Sequence, residues 1–190
     1  LGFAFLMKNP KVNWCYETEP DAGMNNRRIE WPRGKVLGGT SSINGMLYIR
    51  GQKEDYDGWA SEGNKGWGYD DVLPYFKRGE HNVNGLSEFH GIGGPLWVDN
   101  VAEKFDLADI YIQAGIDIGI PHNEDFNGAS QEGMGYYQVN IKNGLRQSTA
   151  QTFLKLCKKR PNLDIQLNAL TEKVNFEDKR AVGVNYLQKG

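Results

Sequence analysis

Cysteine and histidine are scarce in this chain, which holds two cysteines and three histidines among 190 residues. Cys15 and Cys157 lie far apart and show no metal-binding or redox spacing. We therefore predict buried free thiols in a reducing compartment rather than a disulfide framework. His81, His90 and His122 lack partners at the spacing of zinc ligands, so we predict no metal site.

The chain also lacks an excess of charge of either sign and any long apolar run. Its 22 basic and 24 acidic residues leave a net charge of −2, which argues against nucleic acid as a partner. No apolar run approaches the length of a membrane span, and residues 1–7 are too short for a signal peptide. We expect a cytoplasmic location, with membrane association of the full-length protein as an open alternative.

No G-x-G-x-x-G fingerprint stands between a strand and a helix anywhere in the chain. The sequence also begins with Leu1 rather than methionine and ends at Gly190, directly after a predicted strand. These features predict an internal piece of a longer protein.

Glycine, by contrast, is concentrated in one stretch, residues 31–51. Its glycines are Gly34, Gly38, Gly39, Gly45 and Gly51. Three small hydroxyl residues follow the Gly-Gly pair directly, and three basic residues surround the glycines. Glycine permits positive φ angles and close approach of another group, and hydroxyl side chains stabilise such loops by bonding to nearby amides. The pattern predicts a backbone surface that binds a flat or anionic ligand.

The order of residues from Gly34 through Asn44 to Gly51 closely resembles the first signature of the glucose–methanol–choline (GMC) family of flavoprotein oxidoreductases. Bacterial choline and alcohol dehydrogenase-like members are the most similar in appearance. Further matches lie at residues 63–78, 90–96, 125–128 and 131–138. The resemblance therefore covers essentially the whole chain.

This resemblance implies an α+β fold, namely a fragment of a GMC-type FAD-binding domain with part of the substrate or cap domain. Helices mixed with short strands, without a βαβ rhythm, agree with that class. Residues 1–54 would belong to the FAD-binding domain and carry the glycine-rich flavin loop. Residues 55–138 would supply cap and substrate-domain elements, and residues 139–190 would return to the FAD-binding domain.

The chemistry implied by the resemblance is oxidation of a primary alcohol, choline-like or other, to an aldehyde by hydride transfer to flavin N5. Oxygen, a quinone or another acceptor would then take the electrons. The residues carried over as FAD contacts are Val36, Gly38, Gly39, Thr40, Asn44, Gly45, Met46, Leu47 and Thr171. The four from Asn44 onward would lie beside the isoalloxazine ring, and the backbone of Thr171 would meet the adenine.

Two further expectations concern the cofactor linkage and the catalytic base. Some family members attach FAD covalently through a histidine just before the asparagine, where this chain has Ile43, so we expect non-covalent FAD. No histidine here matches the catalytic base of the family, so no catalytic residue is assigned. Since that base and the dinucleotide fingerprint lie outside the matching region in the family, this chain alone is expected to be inactive.

Local patterns predict the secondary structure of the first half. They indicate a short strand at residues 14–18, a turn at 19–30 and a helix at 55–62 bounded by Gly63. A second helix is predicted to begin at Asp70 or Asp71, with Pro74 close to its first turn. Residues 80–95 are predicted to form a loop and residues 96–98 a strand.

The second half is predicted in the same way. Apolar residues at Leu107, Ile110, Tyr111, Ala114 and Ile118 predict an amphipathic packing helix, capped by Asp106 and ended by Gly119 and Pro121. A strand over residues 137–141 ends at an Asn143-Gly144 turn. A capping box at residues 148–151 opens a helix that buries Phe153, Leu154 and Cys157. Three strands follow, at residues 163–169, 173–176 and 181–187, with a turn at residues 178–179.

Two alternatives from other functional classes remain open at this point. One is a non-catalytic flavin-binding or partner-binding module. The other is a carbohydrate-binding domain that uses the aromatic residues between positions 59 and 76 as a stacking platform. We favour a packing role for these aromatics, because large rings bury much apolar area and can support a loop from below.

Overall fold

The computed structural model describes residues 7–188. The helices are α1 (Lys53–Ser61), α2 (Tyr69–Gly79), α3 (Asp106–Asp117) and α4 (Lys155–Cys157). The strands are β1 (Tyr16–Glu17), β2 (Glu30–Trp31), β3 (Leu47–Tyr48), β4 (Glu80–Asn82), β5 (Leu96–Val98), β6 (Gln138–Val139), β7 (Ile141–Lys142), β8 (Leu145–Arg146), β9 (Ala169–Glu177) and β10 (Arg180–Gln188). This mixture confirms the predicted α+β class.

The described chain forms two compact units, which divide between Phe153 and Leu154. Among the described residues, the first unit holds four two-stranded sheets, which pair β1 with β2, β3 with β6, β4 with β5, and β7 with β8. The second unit holds the β9–β10 hairpin. The predicted boundaries after residues 54 and 138 both fall inside the first unit, and the three-part division stays a prediction.

The first predicted strand and turn are confirmed. β1 pairs antiparallel with β2, and the connection contains a short 3-10 turn at Ala22–Met24. Asp21 begins this turn because its carboxylate accepts the N–H of Gly23 at 2.7 Å. Cys15 is a free thiol, as predicted, but it is exposed rather than buried, and Cys157 is only half-buried.

Carboxylates in the first turn of helices α1 and α2 accept main-chain N–H groups of the residues that precede each helix. Asp55 accepts the N–H of Gln52 at 2.9 Å, and Asp71 accepts that of Gly68 at 3.1 Å. α2 therefore begins at Tyr69, earlier than predicted, and Pro74 lies inside the helix rather than near its first turn. The helix tolerates this proline although it cannot donate the usual bond one turn back.

The predicted loop at residues 80–95 contains a strand, which the sequence pattern missed. β4 runs parallel to β5, with Glu80 opposite Leu96. Its three residues are all polar and lack the apolar alternation typical of a strand. The backbone packs so closely on β4 that a Cβ at Gly94 would lie 2.4 Å from the carbonyl oxygen of Glu80. Tertiary packing therefore produces β4, not local propensity.

Helix α3 has the predicted extent but not the predicted environment. Phe105 precedes it as the N-cap, so Asp106 is the first helical residue rather than the cap. The apolar residues Leu107, Ile110, Tyr111 and Ile118 are between 63% and 79% exposed. Its buried residue is Gly115, where a Cβ would meet the side chain of Met134 at 2.8 Å. The prediction that this apolar face packs is therefore wrong within the described chain.

The turn at Asn143-Gly144 is confirmed, since both residues have positive φ angles, 51° and 74°, and they connect β7 to β8. The predicted strand before it is split into β6 and β7. The helix predicted after Ser148 begins as a π-turn at Ala150–Leu154, and it buries Thr152 rather than Phe153.

The second unit contains one long hairpin, in which β9 and β10 include the predicted strands at residues 173–176 and 181–187. The turn at residues 178–179 is confirmed, with Asp178 at a φ of 53°. Residues 163–168 form no strand, and β9 begins only at Ala169. Alternation along 163–167 resembled a strand, but strand pairing begins only where β10 offers a partner at Gln188.

Candidate cofactor site

The glycine-rich loop, residues 31–51, turns sharply at its Gly-Gly pair. Gly38 and Gly39 have φ angles of +91° and +56°, and a 3-10 turn follows at Gly39–Ser42. Positive φ favours glycine, since a Cβ would clash with the backbone. Gly34 is required for another reason: a Cβ there would lie 2.2 Å from the carbonyl oxygen of Gly39.

Hydroxyl side chains hold this turn in a single shape. Thr40 Oγ1 accepts the N–H of Gly34 at 3.1 Å. Ser41 donates to the carbonyl of Gly38 at 2.5 Å, and Ser42 donates to that of Leu37 at 2.9 Å. Ile43, which is 2% exposed, anchors the end of the turn in the core. The loop is thus rigid before any ligand binds.

Beyond Ile43 the loop comes to the surface, where four of the predicted contact residues lie. Gly45 is exposed, and no atom of the described chain outside residues 44–46 lies within 4 Å of an ideal Cβ built on it. Met46 takes a positive φ of 64°, which is uncommon for a side-chain-bearing residue. Leu47 begins β3 and is about half exposed. Residues 44–47 therefore form a patch of partly exposed backbone directly after the tight turn.

The other predicted contacts in the first unit belong to the turn. Val36 and the Gly38–Thr40 backbone form the turn itself and are half-buried. Thr171 lies in β9 of the second unit, opposite Tyr186 of β10.

Sequence reasoning missed two residues that contact the loop from more than 100 positions away. Arg146 donates from Nη1 to both the carbonyl and the side-chain oxygen of Asn44, each at 2.8 Å. Thr149 donates its hydroxyl to the carbonyl of Gly38 at 3.2 Å, and its N–H to Ser41 Oγ at 3.0 Å. Contacts across such a separation leave no periodic signal in the sequence.

The loop ends at a charge cluster formed by Arg50, Glu80, His90 and Asp125, of which the first three are buried. Arg50 Nη2 lies 2.8 Å from Glu80 Oε1, and these side chains are 3% and 0% exposed. Arg50 also donates to the carbonyl of Phe89 at 2.9 Å. Its own N–H is bound by Asn127 Oδ1 at 2.7 Å. The cluster joins the loop to β4 and to the segment around residue 125.

His90 bridges the two carboxylates of this cluster. Its Nδ1 lies 3.0 Å from Glu80 Oε1, and its Nε2 lies 2.9 Å from Asp125 Oδ2. Burial disfavours the charged ring, but the hydrogen bonds to Asp125 and Glu80 outweigh it and raise the His90 pKa to about 9. Burial likewise opposes ionisation of the carboxyls, yet bonds from His90 lower the pKa of both Glu80 and Asp125. At neutral pH the cluster therefore holds two positive and two negative charges.

A family model described as GMC oxidoreductase matches residues 7–190. The chain belongs to the GMC oxidoreductase family. It is 47% identical, over its whole length, to an alcohol dehydrogenase [acceptor] of Pseudomonas putida and to oxygen-dependent choline dehydrogenase 1 of Chromohalobacter salexigens. It covers 34% of each, so it spans about a third of the length of these relatives.

A solved structure shares the fold of this GMC chain. An FAD-dependent oxidoreductase from Chaetomium thermophilum superimposes with a TM-score of 0.81 at 28% identity, covering 95% of this chain and 35% of that one. A flavin is thus the cofactor that the family implies.

The histidines and aromatics of the GMC chain have contacts within the protein. His81 stacks on Trp97 with ring centroids 4.3 Å apart.

Among residues 7–188, no group of three His, Cys, Asp or Glu side chains is placed to hold a metal ion. No helix in the same range is long and apolar enough to cross a membrane.

The aromatic cluster of α1 and α2 packs on itself, and Tyr56, which sequence reasoning overlooked, lies at its centre. Its ring meets Trp59 edge-on at 5.4 Å and Phe76 at 5.8 Å. The Arg50 guanidinium lies 5.1 Å above the Phe76 ring. The tilted rings present no shared flat surface to a sugar, so the carbohydrate-binding alternative gains no support.

The charge cluster predicts a pH-dependent stability. Because the His90 pKa of about 9 exceeds its ordinary value of 6.5, its stabilising effect is complete below pH 6.5 and is lost as pH rises through 9. The pKa values of Glu80 and Asp125 are lowered in the folded protein. Their ionised carboxylates therefore stabilise the fold fully above their ordinary pKa values, and this stabilisation is lost in acid. We expect the free energy of unfolding of the full-length protein to fall by about 2 kcal/mol between pH 6.5 and 9.

Urea denaturation at several pH values measures this, with His90→Gln as the comparison. Glutamine keeps a polar side chain but removes the titrating charge, so the variant should lose the alkaline slope. An equally steep slope in His90→Gln would show that other groups cause it.

Proposed function

We propose that the full-length protein containing this chain is an FAD-dependent oxidoreductase that oxidises a primary alcohol to an aldehyde. The observation that carries the proposal is the glycine-rich loop, with its tight turn at Gly38–Gly39 and open backbone at Gly45. Membership of the GMC family supports the same reading. Choline and other primary alcohols are the substrate class, and oxygen, a quinone or another acceptor takes the electrons.

The residues of the loop fit a flat ring system such as isoalloxazine. No described atom outside residues 44–46 lies within 4 Å of a Cβ built on Gly45, which leaves room for a ring against the backbone. The exposed side chain of Leu47 offers an apolar contact beside it. On this proposal Val36 and the Gly38–Thr40 backbone contact the cofactor next to the ring, and Thr171 meets the adenine.

When bound, FAD supplies the redox chemistry by accepting the hydride from the alcohol carbon. This chain contributes orientation, because its loop is already rigid and needs little rearrangement on binding. We assign no catalytic base to this chain. His90 is positively charged at neutral pH and bound on both ring nitrogens, so it is unsuited to accepting the substrate hydroxyl proton.

Anaerobic mixing of the purified full-length protein with primary alcohols, choline among them, tests this function. Bleaching of the oxidised flavin spectrum and formation of the matching aldehyde are expected. Re-oxidation by air or by a quinone then distinguishes an oxidase from a dehydrogenase. Bound flavin that no alcohol in the panel reduces would overturn the proposal and favour a non-catalytic flavin-binding module.

We further propose that the FAD is bound without a covalent link. The position at which some family members attach the cofactor is occupied by Ile43, which is buried and has no nucleophilic atom. Acid precipitation of the full-length protein should therefore release FAD into the supernatant. Yellow colour that stays with the washed pellet would show a covalent bond elsewhere.

A further inference from the structure

Arg146 contacts the loop at the point where it comes to the surface. Its Nη1 donates to the carbonyl of Asn44 and to Asn44 Oδ1, both at 2.8 Å, and to the carbonyl of Ser41 at 3.2 Å. The side chain is half-buried, and burial lowers the pKa of its guanidinium from the ordinary value. A single charged nitrogen thus joins three acceptors across the turn.

These bonds determine which way the Asn44 amide faces. Asn44 Oδ1 accepts from Arg146 and also from the N–H of Met46 at 3.1 Å. Both partners can only donate, so the side-chain oxygen must occupy this position and the NH₂ group must face the other way. Within residues 7–188 this NH₂ group forms no hydrogen bond, and it adjoins the open backbone at Gly45.

The surroundings keep the turn from relaxing. The carbonyl of Met46 accepts the N–H of Asn140 at 2.7 Å, which ties the positive-φ residue to β6 and β7. Thr149, three residues after Arg146, binds the other end of the turn at Gly38. Residues 146–149 therefore hold both ends of the glycine turn by hydrogen bonds.

We propose that Arg146 is a positioning residue that orients Asn44, so that its side-chain NH₂ donates a hydrogen bond to an acceptor atom of the reacting pair. This inference rests on the proposed function. The acceptor is an oxygen or ring nitrogen, either on the flavin edge or on the alcohol. Arg146 itself touches neither and acts through Asn44.

The test uses the full-length holoenzyme and the variants Arg146→Met, Arg146→Lys, Asn44→Ala and the double variant Arg146→Met with Asn44→Ala. Arg146→Met should lower turnover per bound flavin about 10- to 100-fold, comparable to losing one donor in a preorganised site. Arg146→Lys should restore part of this loss, because only one nitrogen of Arg146 makes these contacts. Arg27→Met, at an exposed site on the turn at residues 21–27, is the matched control and should leave turnover unchanged.

The double variant separates positioning from direct action. If Arg146 acts through Asn44, the double variant should turn over as slowly as Asn44→Ala alone, within about threefold. If the losses of turnover in the two single variants multiply in the double variant, Arg146 acts independently of Asn44 and the proposal is overturned. Arg146→Met could also lower the melting temperature and the flavin content while turnover per flavin stays unchanged. That result would show that Arg146 has only a structural role and would overturn the proposal as well.

Spectra and reduction potentials identify the acceptor without relying on turnover. If Asn44 donates to the flavin, Asn44→Ala and Arg146→Met should shift the absorption bands and the potential of substrate-free enzyme in the same direction. If it donates to the alcohol, both should leave these properties unchanged and reduce the rate of flavin reduction. A wild-type protein that binds flavin but oxidises no alcohol defeats the proposed function, while matching spectral shifts would still support the positioning role. Unchanged spectra together with unchanged reduction rates would defeat the positioning role alone.

Discussion

Replacing Arg50 with methionine is expected to lower the free energy of unfolding of the full-length protein by about 3–5 kcal/mol. The substitution removes the guanidinium that lies 2.8 Å from the fully buried Glu80 carboxylate and leaves His90 as its cationic partner. Glu80 Oε1 keeps His90 Nδ1 at 3.0 Å and the N–H of Gly91 at 2.8 Å, but Glu80 Oε2 has no hydrogen-bond partner within the described part of the chain. Removing one member of a buried pair costs far more than removing an exposed one, because water cannot solvate the charge left behind.

Lys53→Met is the matched control for this prediction. Lys53 also forms an ion pair, with Asp57 at 3.4 Å, but both side chains are about half exposed. Exposed pairs contribute little to stability, since water and salt screen them. Denaturant unfolding of both variants measures the difference. Similar midpoints for Arg50→Met and Lys53→Met would contradict the importance assigned to the charge cluster.

Gly45→Val is expected to reduce flavin affinity about tenfold or more while leaving the apoprotein folded. The fold has room for an added Cβ, since no atom of the described chain outside residues 44–46 lies within 4 Å of it, and Gly45 does not have a positive φ. A branched side chain would instead occupy the space that the proposed ring fills. The melting temperature of the apoprotein should therefore stay unchanged while the fraction of bound FAD falls.

Gly58→Val is the matched control, because Gly58 in α1 is also free of close neighbours and lies outside the loop. The ratio of flavin to protein after purification and FAD titration of the apoprotein measure the effect. Full FAD occupancy in Gly45→Val would place the flavin elsewhere. A similar loss in Gly58→Val would show that the assay reports general damage rather than a blocked site.

Local signals account for the elements that were predicted correctly. The β7–β8 turn follows from Asn143-Gly144, because these two residues accept positive φ at little steric cost. Gly63 and Gly119, with φ angles of +100° and +94°, end α1 and α3 for the same reason. Each of these signals depends on residues within one or two turns of each other, so no knowledge of the rest of the fold was needed.

The errors arise where distant groups decide the outcome. β4 consists of Glu80, His81 and Asn82, whose polar side chains give no strand pattern, and it forms because β5 lies beside it. The periodicity of α3 correctly predicted a helix with an apolar face, but periodicity says nothing about whether another element covers that face. Leu107 and Ile118 on α3 are accordingly exposed in the described chain.

By itself, the sequence determined the family resemblance, the α+β class and the position of the glycine-rich loop, because those depend on the order of neighbouring residues. Only the tertiary structure revealed that Arg50 is buried against Glu80, 30 positions away, and that Arg146 donates to Asn44 from 102 positions away. Hydrogen bonds and ion pairs need atoms within about 3 Å of each other. Chain folding creates that proximity between distant residues, and no local pattern records which polar side chains will meet.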